Sequence, residues 1–249
     1  MINMEAIYRK TLQIGDTQVN AFDRLKNSQV LAILQEAAGE HGGQLGVDKD
    51  SLLKKNLFWA LIRYHIAVTR LPKAGETVTV ETWPMPTTRT AYPRATAVYD
   101  ANGKVLFQAI SLFVLVNFET RAMVLPAMSG VAVDGWVRGN ELPMPGSLLP
   151  KALENCERRT VRFSDLDFNG HMNNCRYMEW VDDLLEGDFH AKNCPKELVI
   201  CYHSEAREGE NVDISWTLSE DGILDVDARR EVENVAMGHG RVFSVKMRF

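Results

Sequence analysis

No apolar run in the 249-residue chain approaches the roughly 20 residues that a membrane-spanning helix requires. The opening stretch, MINMEAIYRKTLQIG, has no signal-peptide core, so a cytoplasmic protein is expected. Basic charge is also short: 28 Lys and Arg stand against 33 Asp and Glu, and the net charge of -5 argues against general nucleic-acid binding. Cysteine is sparse. Cys156, Cys175, Cys194 and Cys201 form no CxxC pair and no ligand-like spacing with histidine, which points to free thiols rather than a disulfide framework or a zinc site. What remains is ordinary globular material, 45% hydrophobic and 24% charged, enough for one large domain or for two of about 120 residues.

The order of patterns favours two. Residues 8–14 have strand composition. A helix pattern follows, with Val30, Leu31, Ile33, Leu34, Ala37 and Ala38 as its apolar stripe and Gly42-Gly43 as the expected stop. Two strands joined through Pro72 and Gly75 come next, then two more around Asn102-Gly103, a strong hairpin signal. From 126 to 150 prolines and glycines interrupt any period, which reads as a linker. The order then starts again. Asn27, Val30, Leu31, Ile33 and Leu34 stand against Asn174, Tyr177, Met178, Trp180 and Val181 at a constant offset of 147. Tyr64-His65 stands against Tyr202-His203 at 138, which sets Ala67 opposite Glu205, and Gly75-Glu76 against Gly209-Glu210 at 134. A falling offset is what duplicated units with shortened loops would give. One long helix with several mostly antiparallel strands must bury its stripe on a sheet face, so each half is expected to be an α+β unit.

The halves differ where chemistry would sit. In the second, residues 165–185 read DLDFNGHMNNCRYMEWVDDLL, a polar cluster running into a helix. Asp167, Asn169 and His171 alternate with Phe168 and Gly170, so on an extended strand end they would share one face. Asn173 or Asn174 can cap the helix, whose apolar face carries Tyr177, Trp180, Val181, Leu184 and Leu185. A lone Asp-x-Asn is more often turn chemistry than a site, and Asp167 can serve as a turn or cap residue only. The first half offers Asp16, Asn20 and Asp23 with no histidine among them. His41, His65 and His203 have no acidic partner in spacing and read as structural, and Phe58, Trp59 and Trp83 read as core or as the lining of a tunnel.

These residues resemble the acyl-acyl-carrier-protein thioesterases of plants and bacteria. The resemblance is carried by Asp167-Phe168-Asn169-Gly170-His171, by Met172-Asn173-Asn174 with Tyr177 and Trp180, and by Leu198 through Glu205. In the first half it continues through Phe58-Trp59, Gly75, Thr82-Trp83, Asn117, Arg121 and Pro126. It implies a double hotdog fold: an N-terminal hotdog domain over 1–128 that holds the acyl pocket, a linker over 129–154, and a catalytic hotdog domain over 155–249. It implies hydrolysis of fatty acyl-acyl carrier protein to free fatty acid, with Asp167, Asn169, His171 and Glu205 as the catalytic set. The acyl carrier protein is then the partner, a homodimer is admitted, and neither metal nor cofactor is called for. In many plant members a Cys follows the essential Glu; here it is Ala206, and Cys201 lies about 13 Å from Glu205 along an extended strand.

A thioester needs one oriented water, a base for its proton and donors for the charge that develops on the carbonyl oxygen. Glu205, expected on a strand inside a mainly apolar cleft, is the candidate base. Asn169 and His171 are candidate donors, Asp167 can orient the neighbouring amide or imidazole, and backbone N–H groups near Asn173 and Asn174 offer an oxyanion contact. Two alternatives stand beside this reading: an acyl-CoA thioesterase with the same chemistry on another handle, and a non-catalytic acyl-binding module. Arg158, Arg159 and Arg207 could meet either an acidic carrier or the phosphates of CoA.

Overall fold

Why β4 (Tyr92–Tyr99) reads as an almost unbroken run of buried positions becomes clear from what covers its two faces. The structure, a computed structural model, describes residues 7–133, 135–139, 141–230 and 240–249. They divide into two units, residues up to 26 with 32–145, and residues 27–31 with 146–249. The first contains β1 (Tyr8–Gln13), most of α1 (Asn27–Gln44), α2 (Lys49–Leu53), β2 (Leu57–Val68), β3 (Thr77–Pro84), β4, β5 (Val105–Asn117), β6 (Met123–Val124) and α3 (Pro126–Ser129). Its strands pair antiparallel in the order β1-β3-β4-β5-β2, with β6 added to β5.

Successive side chains of a strand point to opposite faces. On one face Arg94 of β4 is buried and donates to His41 Nδ1 of α1 at 2.9 Å and to Thr82 Oγ1 at 3.3 Å, so this is the helix side. Burial lowers the Arg94 pKa to about 10. On the other face Ala95 and Ala97 join Trp83, Met85, Ile110 and Leu112 in an apolar cluster that Trp136 and Leu142 cover. The stretch after α3 is thus a strap on the outer face of this sheet. Trp136 N–H donates to Pro84 O at 3.0 Å, Arg138 pairs with buried Glu81 at 2.9 Å and lies over the Trp83 ring, and His65 Nδ1 meets Pro143 O at 2.9 Å. Gly135 passes so close that a Cβ would lie 2.2 Å from the Met85 carbonyl. The linker expected over 126–150 is, as far as 145, a packed part of the first unit, and its irregular composition suits a segment that follows no lattice of its own.

The second unit repeats the first: β7 (Asn155–Thr160), α4 (Arg176–Asp182), α5 (Gly187–Lys192), β8 (Glu197–Tyr202), β9 (Asn211–Leu218), β10 (Ile223–Arg230) and β11 (Arg241–Arg248). Its order, β7-β9-β10-β11-β8, is that of β1-β3-β4-β5-β2. β7 starts and ends 147 residues after β1, and β9 starts and ends 134 after β3.

Three expectations need correction. The helix stop lies beyond Gly42-Gly43: α1 runs to Gln44, and Gly46, at φ +67, makes the left-handed exit. The single long helix expected in the second half is divided, because Leu184 N and Leu185 N turn back to Val181 O and Asp182 O before α5 begins. Finally, the offset of 138 is not structural. Thr69 N and Arg70 N both donate to Leu106 O, as His203 N and Ser204 N both donate to Val242 O, so His203 answers to Thr69 and Glu205 to Leu71 rather than to Ala67. β2 is twice as long as β8 and bulges between Leu61 and Arg63, and a match on residue type slides along it.

Candidate active site

Asp167 opens a tight turn. Its Oδ1 accepts the Asn169 N–H at 2.8 Å and the His171 N–H at 3.3 Å, while Asp167 N donates to His171 O and Gly170 N to Asp167 O. Gly170 sits at φ +76, a conformation that glycine adopts without a Cβ penalty. Leu166 and Met172 face each other across the turn. The expectation of an extended end with three side chains on one face is therefore wrong; a carboxylate that accepts its own downstream amides curls the chain. The first unit has the same turn: Asn20 Oδ1 accepts from Phe22 N and Arg24 N, Asp23 takes φ +54, and Val19 faces Leu25. The turn belongs to the fold. What differs is its cargo, Asn169 and His171 in place of Phe22 and Arg24.

Met172 N–H then donates to Ala206 O at 2.8 Å, and His171 bridges to Arg207. That seam brings His171 Nε2 to 3.2 Å from Glu205 Oε2. Glu205 lies past the end of β8, and its side chain is 41% exposed, so it is neither on a strand nor enclosed by apolar walls as expected. Asn169 is exposed and its Nδ2 reaches Asp167 Oδ2 at 3.4 Å, a long contact. Asp167 thus holds the backbone beneath His171, through contacts to the amides of Asn169 and His171 and not to the imidazole. Of the backbone donors before α4, Asn173 N–H is taken by Asp165 O and Cys175 N–H by Asn173 Oδ1, which removes both as oxyanion contacts. The other histidines have structural partners: His203 meets Ser244 Oγ at 2.9 Å. Cys201 is buried, with Sγ 3.6 Å from Gly146 O.

Two residues that the sequence marked as helix, repeat and resemblance positions, with no role at the site, lie on the segments that carry this pair. Tyr202, the last residue of β8, donates its hydroxyl to Asn174 O at 3.0 Å. Tyr177 is buried against Phe243 and Tyr202, and burial raises its pKa. The sequence marked them only through the helix stripe, the repeat and the family resemblance, with no role at the site attached. Among the described residues no group of three or more His, Cys, Asp or Glu is placed to hold a metal ion, and no helix is long and apolar enough to cross a membrane.

Comparison with known proteins follows this division of the chain. The family profile of the acyl-ACP thioesterase N-terminal domain matches residues 5–126, and that of the acyl-ACP thioesterase C-terminal domain matches residues 150–240. The chain belongs to the acyl-ACP thioesterase family. Its sequence is 29% identical over 214 residues to the chloroplastic dodecanoyl-[acyl-carrier-protein] hydrolase of Cinnamomum camphora, covering 80% of this chain and 56% of that protein. The corresponding hydrolase of Umbellularia californica is 30% identical over 197 residues, 72% of this chain and 51% of that protein. The chain spans about half the length of the curated relatives it matches. Among solved structures, an acyl-ACP thioesterase from Bacteroides thetaiotaomicron superposes with a TM-score of 0.85 at 23% identity, covering 98% of each chain. The 12:0-ACP thioesterase of Umbellularia californica gives 0.81 at 23% identity, over 98% of this chain and 96% of that one. These likenesses establish the hotdog fold for this acyl-ACP thioesterase family member. The His171 turn and Glu205 both fall within the C-terminal domain match.

Proposed function

We propose that the protein hydrolyses the thioester of fatty acyl-acyl carrier protein and releases free fatty acid, by direct attack of water. The observation that carries this reading is the 3.2 Å contact between His171 Nε2 and Glu205 Oε2, formed in the unit that matches the family's C-terminal domain. The imidazole donates to the carboxylate and fixes its direction. The other Glu205 oxygen takes the proton of the attacking water, a role that requires only hydrogen-bond reach and a negative charge at working pH. As the tetrahedral centre collapses, that proton passes to the departing sulfur, so the carboxylate is restored and thiol and fatty acid leave. The exposed Asn169 amide donates to the carbonyl oxygen as its charge develops, with the Asn174 N–H, in the turn before α4, as the backbone donor. Asp167 keeps Asn169 and His171 at the turn's tip.

A covalent acyl-enzyme has little support. Ala206 offers no nucleophile, and Cys201 is buried against Gly146 O, outside the His171–Glu205 pair. Nucleophile and base must stand within hydrogen-bond reach of each other.

The test is hydrolysis of one saturated acyl series presented on acyl carrier protein and on CoA. Free fatty acid released faster from the carrier series, with no acyl group retained on quenched protein, is the expected result. Preference for the CoA series would transfer the reading to an acyl-CoA thioesterase. No turnover of either series, with acyl ligands still raising the melting temperature, would make the protein an acyl-binding module.

A further inference from the structure

We infer that Tyr177 and Tyr202 are positioning residues that set the His171–Glu205 contact, an inference that rests on the reading of that pair as the reacting centre. Both phenols tie the chain segments that carry the pair. Tyr202 lies three residues before Glu205, and its hydroxyl donates at 3.0 Å to the carbonyl of Asn174, three residues after His171. Tyr177 comes from α4, and its hydroxyl lies beside the backbone of Ala206, the neighbour of Glu205. Ala206 in turn accepts from the N–H of Met172, the neighbour of His171. The two rings lie 5.8 Å apart, and Tyr177 is 4.7 Å from Phe243, so neither side chain is at liberty to swing away. A hydroxyl taken from water is costly unless it is bonded; Tyr202 spends its bond on the segment that leads from His171 into α4, and Tyr177 lies at the residue that follows Glu205.

The duplication supplies an internal control. At the offset of 147 that relates α1 to α4, Val30 stands where Tyr177 does; at the offset of 134 that relates Thr69 to His203, Val68 stands where Tyr202 does. The first unit builds the same turn and the same seam, with Leu25 N–H donating to Pro72 O at 2.8 Å, and needs no phenol for it. The fold is therefore complete without these hydroxyls. They occur in the half that carries His171 and Glu205.

The experiment compares Tyr177→Phe and Tyr202→Phe with wild type in kcat and KM on acyl carrier protein substrates, alone and combined with Glu205→Gln. It also records the imidazole nitrogen NMR resonances of His171. The expected result is a kcat about ten- to a hundredfold lower, KM within about twofold, and a cooperative melt close to wild type. Tyr202→Phe added to Glu205→Gln should cost nothing further, since it acts through that carboxylate. The His171 resonances of both phenylalanine variants should move towards those of Glu205→Gln. Full kcat in both variants, a loss that multiplies with that of Glu205→Gln, or unmoved His171 resonances would each overturn the inference. If wild type hydrolyses no thioester, the proposed activity fails by itself and the His171 resonances alone decide the positioning.

Discussion

A carboxylate can shape a site without touching substrate, and Asp167 and Asn20 make the comparison within one chain. Each accepts the amides two and four residues downstream. Asp167→Ala and Asn20→Ala should each cost about 1 kcal/mol in urea denaturation, while only Asp167→Ala lowers thioester hydrolysis by more than tenfold; equal activity in the two variants would contradict the placement of the site. Asp182 is a second residue with an environment to test. It is half-buried, accepts from Asn27 Nδ2 at 2.7 Å, and burial raises its pKa to about 6, with the charges of Asp183 and Glu179 adding to the rise and the Asn27 bond and His190 opposing it. A folded value above the unfolded 3.8 means that the folded protein holds a proton the unfolded chain has lost. Stability should therefore fall as pH rises from about 4 to about 6 and stay lower above that. Asp182→Asn should gain about 2 kcal/mol near pH 7 and nothing below about pH 4, measured as unfolding free energy against pH.

The elements teach that composition reports what a segment does alone and not what it lies on. The strap over 131–145 has no period of its own, since its register comes from Pro84, Glu81 and His65, residues far earlier in the chain. It consequently reads as linker. Gly135→Ala should push it off Met85, at a cost of about 2 kcal/mol, and expose residues 131–145 to limited proteolysis before the melt; unchanged stability and protection would show that the strap does not support the sheet. The paired strands, by contrast, were legible, because alternation and the Asn102-Gly103 turn are local signals. So was the apolar stripe of α4, with Tyr177, Trp180 and Val181 buried, as is Leu184 just past its end. Its early end was not, since a stripe says where a helix faces and not where its hydrogen bonds give way.

At the scale of the molecule, the repeat was the most informative feature of the sequence, and structure refines it. Offsets of 147 and 134 relate the strands and turns of the two units, while the match of His65 to His203 came from residue type alone. With the corrected alignment, Leu71 occupies the place of Glu205, Phe22 that of Asn169 and Arg24 that of His171. One unit thus retains the turn with no proton-transfer group on it. His171 and Glu205 could be named from the motif, but their contact depends on the Met172 to Ala206 hydrogen bond, which no spacing in the sequence reveals. The most direct measurement is kcat/KM on acyl carrier protein thioesters for wild type and for Glu205→Gln, which keeps the shape of the side chain and removes its basicity. A cooperatively melting variant slower by about a hundredfold or more is predicted; a variant as fast as wild type would contradict water attack assisted by Glu205.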